Sequence, residues 1–358
     1  MFRKAPPVPP SSNDVVTDAA PCQKAVRLRV APEAIAPVRQ VVLAEFQRQA
    51  NLPGFRKGKA PVELVERQYA KEIQDETLHR VTRQAFEEAA KAHQLKPVGP
   101  FEVRKADFDG AGGLMLEATV EVEPAFPLGD YKGIALTQDA VAVTPKDVED
   151  ALASLQESMA QLVPSGQGEA KERKLAVLDD EFAKDLGFQT LAALREHLEA
   201  KLREQKRSAS AQRLESALYD ELLRRHPFAV PPRLVEHQTQ RLTGDFKARL
   251  LLSGVPEGKT EEETGKLTEQ LRTSAERHVK LTFILDRIAA QEAVTVTQDE
   301  LVGRMWQLAQ RSKKDPAEMR KLFDERGLWP SVVSAIRQEK TVALLLAAAS
   351  IQNGTTQT

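Results

Sequence analysis

The chain has a single cysteine among its 358 residues, Cys22. One thiol excludes an internal disulfide and a cysteine-built zinc cage. It sits in a Pro-rich N-terminal stretch that reads as unstructured, which argues against a reactive role. Aromatics make up only 5% of the chain against 29% charged residues. That balance belongs to helix-rich proteins with several modest cores rather than one large one. No apolar run approaches the length of a membrane span, so no membrane partner is expected. The formal net charge is −1, so attraction to nucleic acid would have to come from a local basic patch. Arg3 and Lys4 are followed by Pro6, Pro7, Pro9 and Pro10. That stretch lacks the continuous apolar segment of a secretory signal.

Catalytic chemistry is equally thin. His79, His93, His197, His226, His237 and His278 are scattered, with none at metal-ligand spacing to another. Ser165 lacks the G-x-S-x-G elbow. Gly166-Gln167-Gly168 follows no strand and is closed by no third glycine, so it is no nucleotide fingerprint. Asp179-Asp180 reads as charge at a helix N-terminus. No catalytic residue, metal or cofactor is expected.

What is present is Gly54-Phe55-Arg56-Lys57-Gly58-Lys59-Ala60-Pro61. Two glycines that tolerate positive φ bracket an aromatic and two cations, and a third cation follows. An amphipathic stretch, Val38 to Ala50, precedes the loop, and Pro61 suits the first position of a helix after it. The loop therefore caps a helical hairpin. On its residues alone it reads either as a solvated basic turn or as a plug for a large acidic or phosphate-rich partner.

Around it, residues 24–31 alternate as a half-buried strand. Helix is expected over 37–50, with Pro37 in the first turn, and over 61–93 with a break near Ala70-Lys71. Residues 101–108 and 114–123 form a hairpin about Asp109-Gly110-Ala111-Gly112-Gly113, and a short strand at 132–138 follows. Phe101, Phe108 and Phe126 are expected in the core. A helix opens at Pro145 and runs to about Leu162, a flexible break follows at 164–168, and beyond Lys174 the pattern is helical. The helices expected there cover 178–186, 189–226, 231–252, 260–292, 297–312, 315–326 and 329–351.

The fold class that follows is an α+β N-terminal domain, an antiparallel sheet with helices and a protruding helical hairpin. An all-α C-terminal domain of long helical arms comes after it. The expected division is a disordered tail over 1–23, an α+β domain over 24–140, a linker with a helix over 141–178, a helical domain over 179–352, and a tail over 353–358.

The Gly-Phe-Arg-x-Gly-Lys-x-Pro string, between two helices and after a strand, resembles the ribosome-docking signature of bacterial trigger factor. The resemblance implies that Phe55, Arg56 and Lys57 contact the ribosome, that Gly54 and Gly58 shape the loop, and that Lys59 supports it. It implies a cytoplasmic, ATP-independent chaperone whose partners are the exit-tunnel rim (protein and rRNA) and nascent or unfolded polypeptides, with a homodimer off the ribosome. Members of that family carry an FKBP-type prolyl isomerase module between the two domains. Here the corresponding space is about residues 160–178, too short to fold alone, so isomerase activity rests on the family label and not on these residues.

Client contact is expected from exposed apolar residues of the helical part: Leu250, Leu251, Leu252, Phe283, Met305, Trp306, Leu308, Phe323, Leu328 and Trp329. For each, burial in a helix–helix core is the competing reading. Three other functions compete: a prolyl isomerase, a holding or assembly chaperone acting off the ribosome, and a plain RNA-binding module. The last would need an aromatic platform on the sheet.

Overall fold

A computed structural model describes residues 15–109, 112–159, 161–164, 171–175 and 177–353. In chain order the elements are β1 (Val15–Ala20), β2 (Gln23–Val30), α1 (Pro32–Gln49), α2 (Val62–Gln68), α3 (Ala70–Ala92), β3 (Glu102–Phe108) and β4 (Leu114–Glu121). Then follow β5 (Ala135–Gln138), α4 (Pro145–Ser158), β6 (Gln161–Pro164), β7 (Lys171–Lys174), α5 (Asp180–Asp185) and α6 (Leu191–Arg225). The remainder is α7 (Pro232–Leu252), α8 (Glu257–Lys266), α9 (Thr268–Gln291), α10 (Gln298–Arg311), α11 (Pro316–Arg326), α12 (Trp329–Ala347) and β8 (Ser350–Asn353).

The expected fold class holds: an antiparallel sheet with helices, followed by a helix-rich part. The sheet has four strands in the order β1-β2-β4-β3. Period-two alternation sends Val26, Leu28 and Val30 of β2 and Leu114, Leu116, Ala118 and Val120 of β4 to one face. There they pack with Val38 of α1 and with Val81, Ala85, Phe86 and Ala89 of α3. Phe86 stacks on Phe101 with ring centroids 4.5 Å apart. The opposite face carries Arg27, which pairs with Glu117, and Met115. Phe108, expected in the core, is exposed because it ends β3 at the lip of the sheet.

Several boundaries differ from the sequence-based expectation. Residues 15–23, expected within the N-terminal tail, take regular structure. Val15–Ala20 pairs with Gln23–Val30 as a hairpin, with Cys22 in the left-handed conformation at its turn. Residues 1–14 and 354–358 lie outside the described residues. Helix α1 starts five residues early, at Pro32, and leaves Pro37 inside it. The interior proline forfeits one helical hydrogen bond, but Ala34, Ile35 and Val38 on the same stretch pack onto the sheet, and that packing outweighs the loss. The break near residue 70 falls at Tyr69, and the stretch 260–292 divides into two helices at Leu267.

Helix α4 stops at Ser158, and Gln161–Pro164 pairs antiparallel with Lys171–Lys174; beyond Pro164, the break expected over 164–168 falls outside the described residues. The intervening 165–170 lie outside the described residues. Helix α12 ends at Ala347, since Ser350–Asn353 joins β5 as a parallel pair.

The chain packs as two compact units. One compact unit joins the chain up to Pro127 with Pro227–Phe283, and the other joins Leu128–His226 with the chain from Ile284 onward. The cause is a strap at 227–233 in the first unit. Phe228 stacks on Phe126 at 4.1 Å. Cys22 Sγ donates to the Ala229 carbonyl at 3.1 Å. The Arg233 amide donates to buried Glu121 at 2.9 Å, and its guanidinium pairs with Glu102. In the second unit, Leu152, Phe182, Ala183, Leu194 and Leu198 bind α4 and α5 to α6.

Candidate functional site: a projecting basic finger

The loop between α1 and α2 is held at its base and open at its tip. At the base, Val42, Ala50, Ala60, Val65 and Ile73 form a small core, with Leu43, Phe46, Leu52 and Tyr69 packed against it. The Gly58 amide donates to Ala50 O at 3.4 Å, the Lys59 amide to Arg56 O at 2.9 Å, and the Phe55 amide to Leu52 O at 3.1 Å. Gln47 Nε2 donates to the Ala60 carbonyl at 2.9 Å and closes the neck.

Both bracketing glycines adopt positive φ, +85° at Gly54 and +76° at Gly58. Only glycine occupies that region without strain. Gly58 is further constrained, because a Cβ there would lie 3.2 Å from the Arg48 carbonyl oxygen.

The tip is solvent-facing. Phe55 is 41% exposed, large for an aromatic ring with water as its neighbour. Arg56, Lys57 and Lys59 are exposed too. Among the described residues no carboxylate pairs with any of the three, whereas Arg39 and Arg80 on the flanking helices are paired. Arg80 of α3 bridges Glu45 of α1 at 2.7 Å and Glu76 at 2.5 Å, and Arg39 of α1 meets Glu66 of α2 at 2.6 Å. The hydrogen bond from Arg80, and then its charge, hold the Glu45 carboxyl below the usual carboxylate range. The paired charges thus tie the hairpin together, and the unpaired ones stand at its end.

The expected client-contact residues separate into two groups. Leu252 is 88% exposed, Leu251 and Trp306 are each 50% exposed, and Leu250 is half-buried. Met305 and Phe323, by contrast, are buried with Ala309 and Met319 in a core among α10, α11 and α12, with Leu308, Leu328 and Trp329 packed against it. Helical periodicity explains the split: Met305 and Ala309 lie four apart on the inward face of α10, whereas Trp306 lies one step round. Trp329 is half-buried, donates its indole N–H to Asp324 at 2.7 Å, and meets Phe323 edge-on. Phe283 packs beside Val279 in the core between α7 and α9. Val302, four residues before Trp306, is exposed and was missed, although the i, i+4 spacing marks it. No group of three metal-ligating side chains occurs among the described residues, and no described helix is long and apolar enough to cross a membrane.

The model of the bacterial trigger factor protein family matches residues 13–155, and the model of the trigger factor C-terminus matches residues 190–347. The chain belongs to the trigger factor family. The trigger factor of Anaeromyxobacter sp. (strain Fw109-5) is 26% identical over 424 aligned residues, which cover 94% of this chain and 99% of the relative. That of Carboxydothermus hydrogenoformans is 26% identical, covering 82% and 89%. A solved structure of a trigger factor chaperone, described by its promiscuous substrate recognition in folding and assembly activities, is 18% identical. It covers 93% of this chain and 99% of its own, with a TM-score of 0.49.

An alignment of 424 residues onto a chain of 358 leaves part of the relative without a counterpart here. The unmatched interval 156–189 lies between the two family regions. It holds the β6–β7 pair and the short α5. Among the described residues no isomerase module stands between the two matched regions.

Two outcomes follow from the finger's geometry. Gly58→Ala destabilises the N-terminal unit by about 1–2 kcal/mol and Gly54→Ala by less, since only Gly58 adds a clash to the left-handed φ; urea midpoints measure the difference. The carboxyl of Glu45 is depressed in the folded state, so the Glu45–Arg80 clamp contributes fully above the unfolded value of about 4.3 and is lost as pH falls below it. Glu45→Gln removes that part of the acid sensitivity, read as a shallower loss of stability between roughly pH 5 and pH 3.

Proposed function

We propose that the chain is a ribosome-associated, ATP-independent chaperone that shields nascent polypeptides. The observation that carries this reading is the finger: an exposed phenyl ring and three unpaired cations on a rigid neck, in a chain of this family. Surface cations left without partners retain their attraction for an external anion, and a ring between them adds apolar contact area once docked. With a net charge of −1, the attachment is local and reversible, and it weakens with salt. The partners are the protein and rRNA of the exit-tunnel rim. Gly54 and Gly58 shape the finger; Phe55, Arg56, Lys57 and Lys59 make the contact.

Tethering raises the local concentration of the helical part around the emerging chain. Shallow contacts from Leu250, Leu251, Leu252, Val302 and Trp306 then hold it, each buried methylene contributing about 0.8 kcal/mol. Release requires no nucleotide, because several weak contacts dissociate singly. Work off the ribosome as a holding chaperone uses the same surfaces.

Simultaneous replacement of Phe55, Arg56 and Lys57 by Ala abolishes co-sedimentation with ribosomes while leaving the thermal midpoint within a degree or two, as expected for exposed positions. Retained co-sedimentation would remove the anchor. In an aggregation-suppression assay with an unfolded client, Leu251→Ser/Leu252→Ser and Val302→Ser/Trp306→Ser each lower protection at unchanged stability. Met305→Ala instead costs about 2–5 kcal/mol of stability.

A further inference from the structure

The helical face of the sheet unit carries a groove that the finger does not use. It has a volume of about 670 Å³, within the range of ligand-binding clefts. Ile35, Ala36 and Leu43 of α1, Ala70 of α3 and Phe108 at the end of β3 give it apolar walls. Phe108 is 46% exposed there, far above the other rings of this unit's core. Glu66 stands on the rim, its Oε1 held at 2.6 Å by Arg39, which lines the groove beside it.

The course of β1 decides which segment can reach this groove. Val15 pairs antiparallel with Arg27, so the chain before it leaves toward the end of the sheet where β2 passes into α1 at Pro32. Pro32 and Gly112 line the groove at that same end. The strand order places Phe108 three strand spacings across the sheet from β1, about 14 Å. The stretch Pro6-Pro7-Val8-Pro9-Pro10 precedes Val15, at about 15–28 Å of polyproline rise. Reach and direction therefore both match.

Chemistry matches as well. A Pro-rich segment is pre-organised, loses little entropy on docking, and seats in apolar grooves that offer an aromatic face. We propose that residues 2–10 are a latch that docks into the groove between α1 and α3 of its own chain. The groove is lined by Pro32 to Leu43 of α1 and by Glu66 and Ala70, and by none of the finger's tip residues 54–59, so a docked latch leaves the tip uncovered.

Disulfide trapping in the full chain, in a Cys22→Ser background, tests the latch. Val8→Cys is combined either with Ala36→Cys in the groove or with Met115→Cys, which is 44% exposed on the opposite sheet face at the same end. A docked latch gives an intrachain disulfide with Ala36→Cys about ten-fold faster than with Met115→Cys, through its higher effective concentration. Replacing Pro6, Pro7, Pro9 and Pro10 by Ser removes the preference. Equal rates at the two positions overturn the proposal. So does a disulfide formed only between two molecules, which would make a second copy the occupant. Ribosome co-sedimentation stays unchanged in every variant, so failure of the latch is distinguishable from failure of the anchor.

Discussion

The finger depends on a clamp between α1 and the α2–α3 pair. Val42, Ala50, Ala60, Val65 and Ile73 close the gap between the helices, and Arg80 ties Glu45 to Glu76 across it. The clamp is small, so it fixes the neck without enclosing the tip. Rigidity there matters more than area. A loop that is already ordered loses little entropy on docking, so modest contacts suffice to hold it. Positive φ in the loop is confined to two glycines, and Arg56, Lys57 and Lys59 have no carboxylate partner among the described residues.

The rest of the chain divides apolar surface between structure and exposure by helical phase. In α10, Met305 and Ala309 face inward while Val302 and Trp306 face water. At the end of α7, Leu251 and Leu252 are left outside because the helix terminates at Ser253 before any partner covers them. Such scattered aliphatic contacts suit weak association with many sequences better than a deep pocket would. The β6–β7 pair bridges the interval between α4 and α5, and α4, α5 and α6 share one core.

The finger, its helices and the β3–β4 hairpin were legible in the sequence because each is specified by residues close in the chain. Glycines at 54 and 58, the proline at 61 and the alternation over 114–121 act locally. What escaped notice was non-local. Pro37 stays helical because Ala34, Ile35 and Val38 gain the sheet. Val15–Ala20 becomes a strand only by pairing with β2. Ser350–Asn353 leaves its helical pattern for a parallel partner more than two hundred residues earlier. Met305 and Trp306 are adjacent and both apolar. Hydrophobicity alone did not say which one faced the core, and heptad-like phase with Ala309 would have.

The strap from Pro227 to Arg233 bears on the order in which the molecule is made. Glu121 is buried, yet the amide that satisfies it belongs to Arg233, and Phe126 waits for Phe228. While the chain is still being synthesised, the sheet can assemble, but the strap contacts to Glu121 and Phe126 form only after more than a hundred further residues have emerged. The sheet unit thus stays incompletely covered until the strap is made.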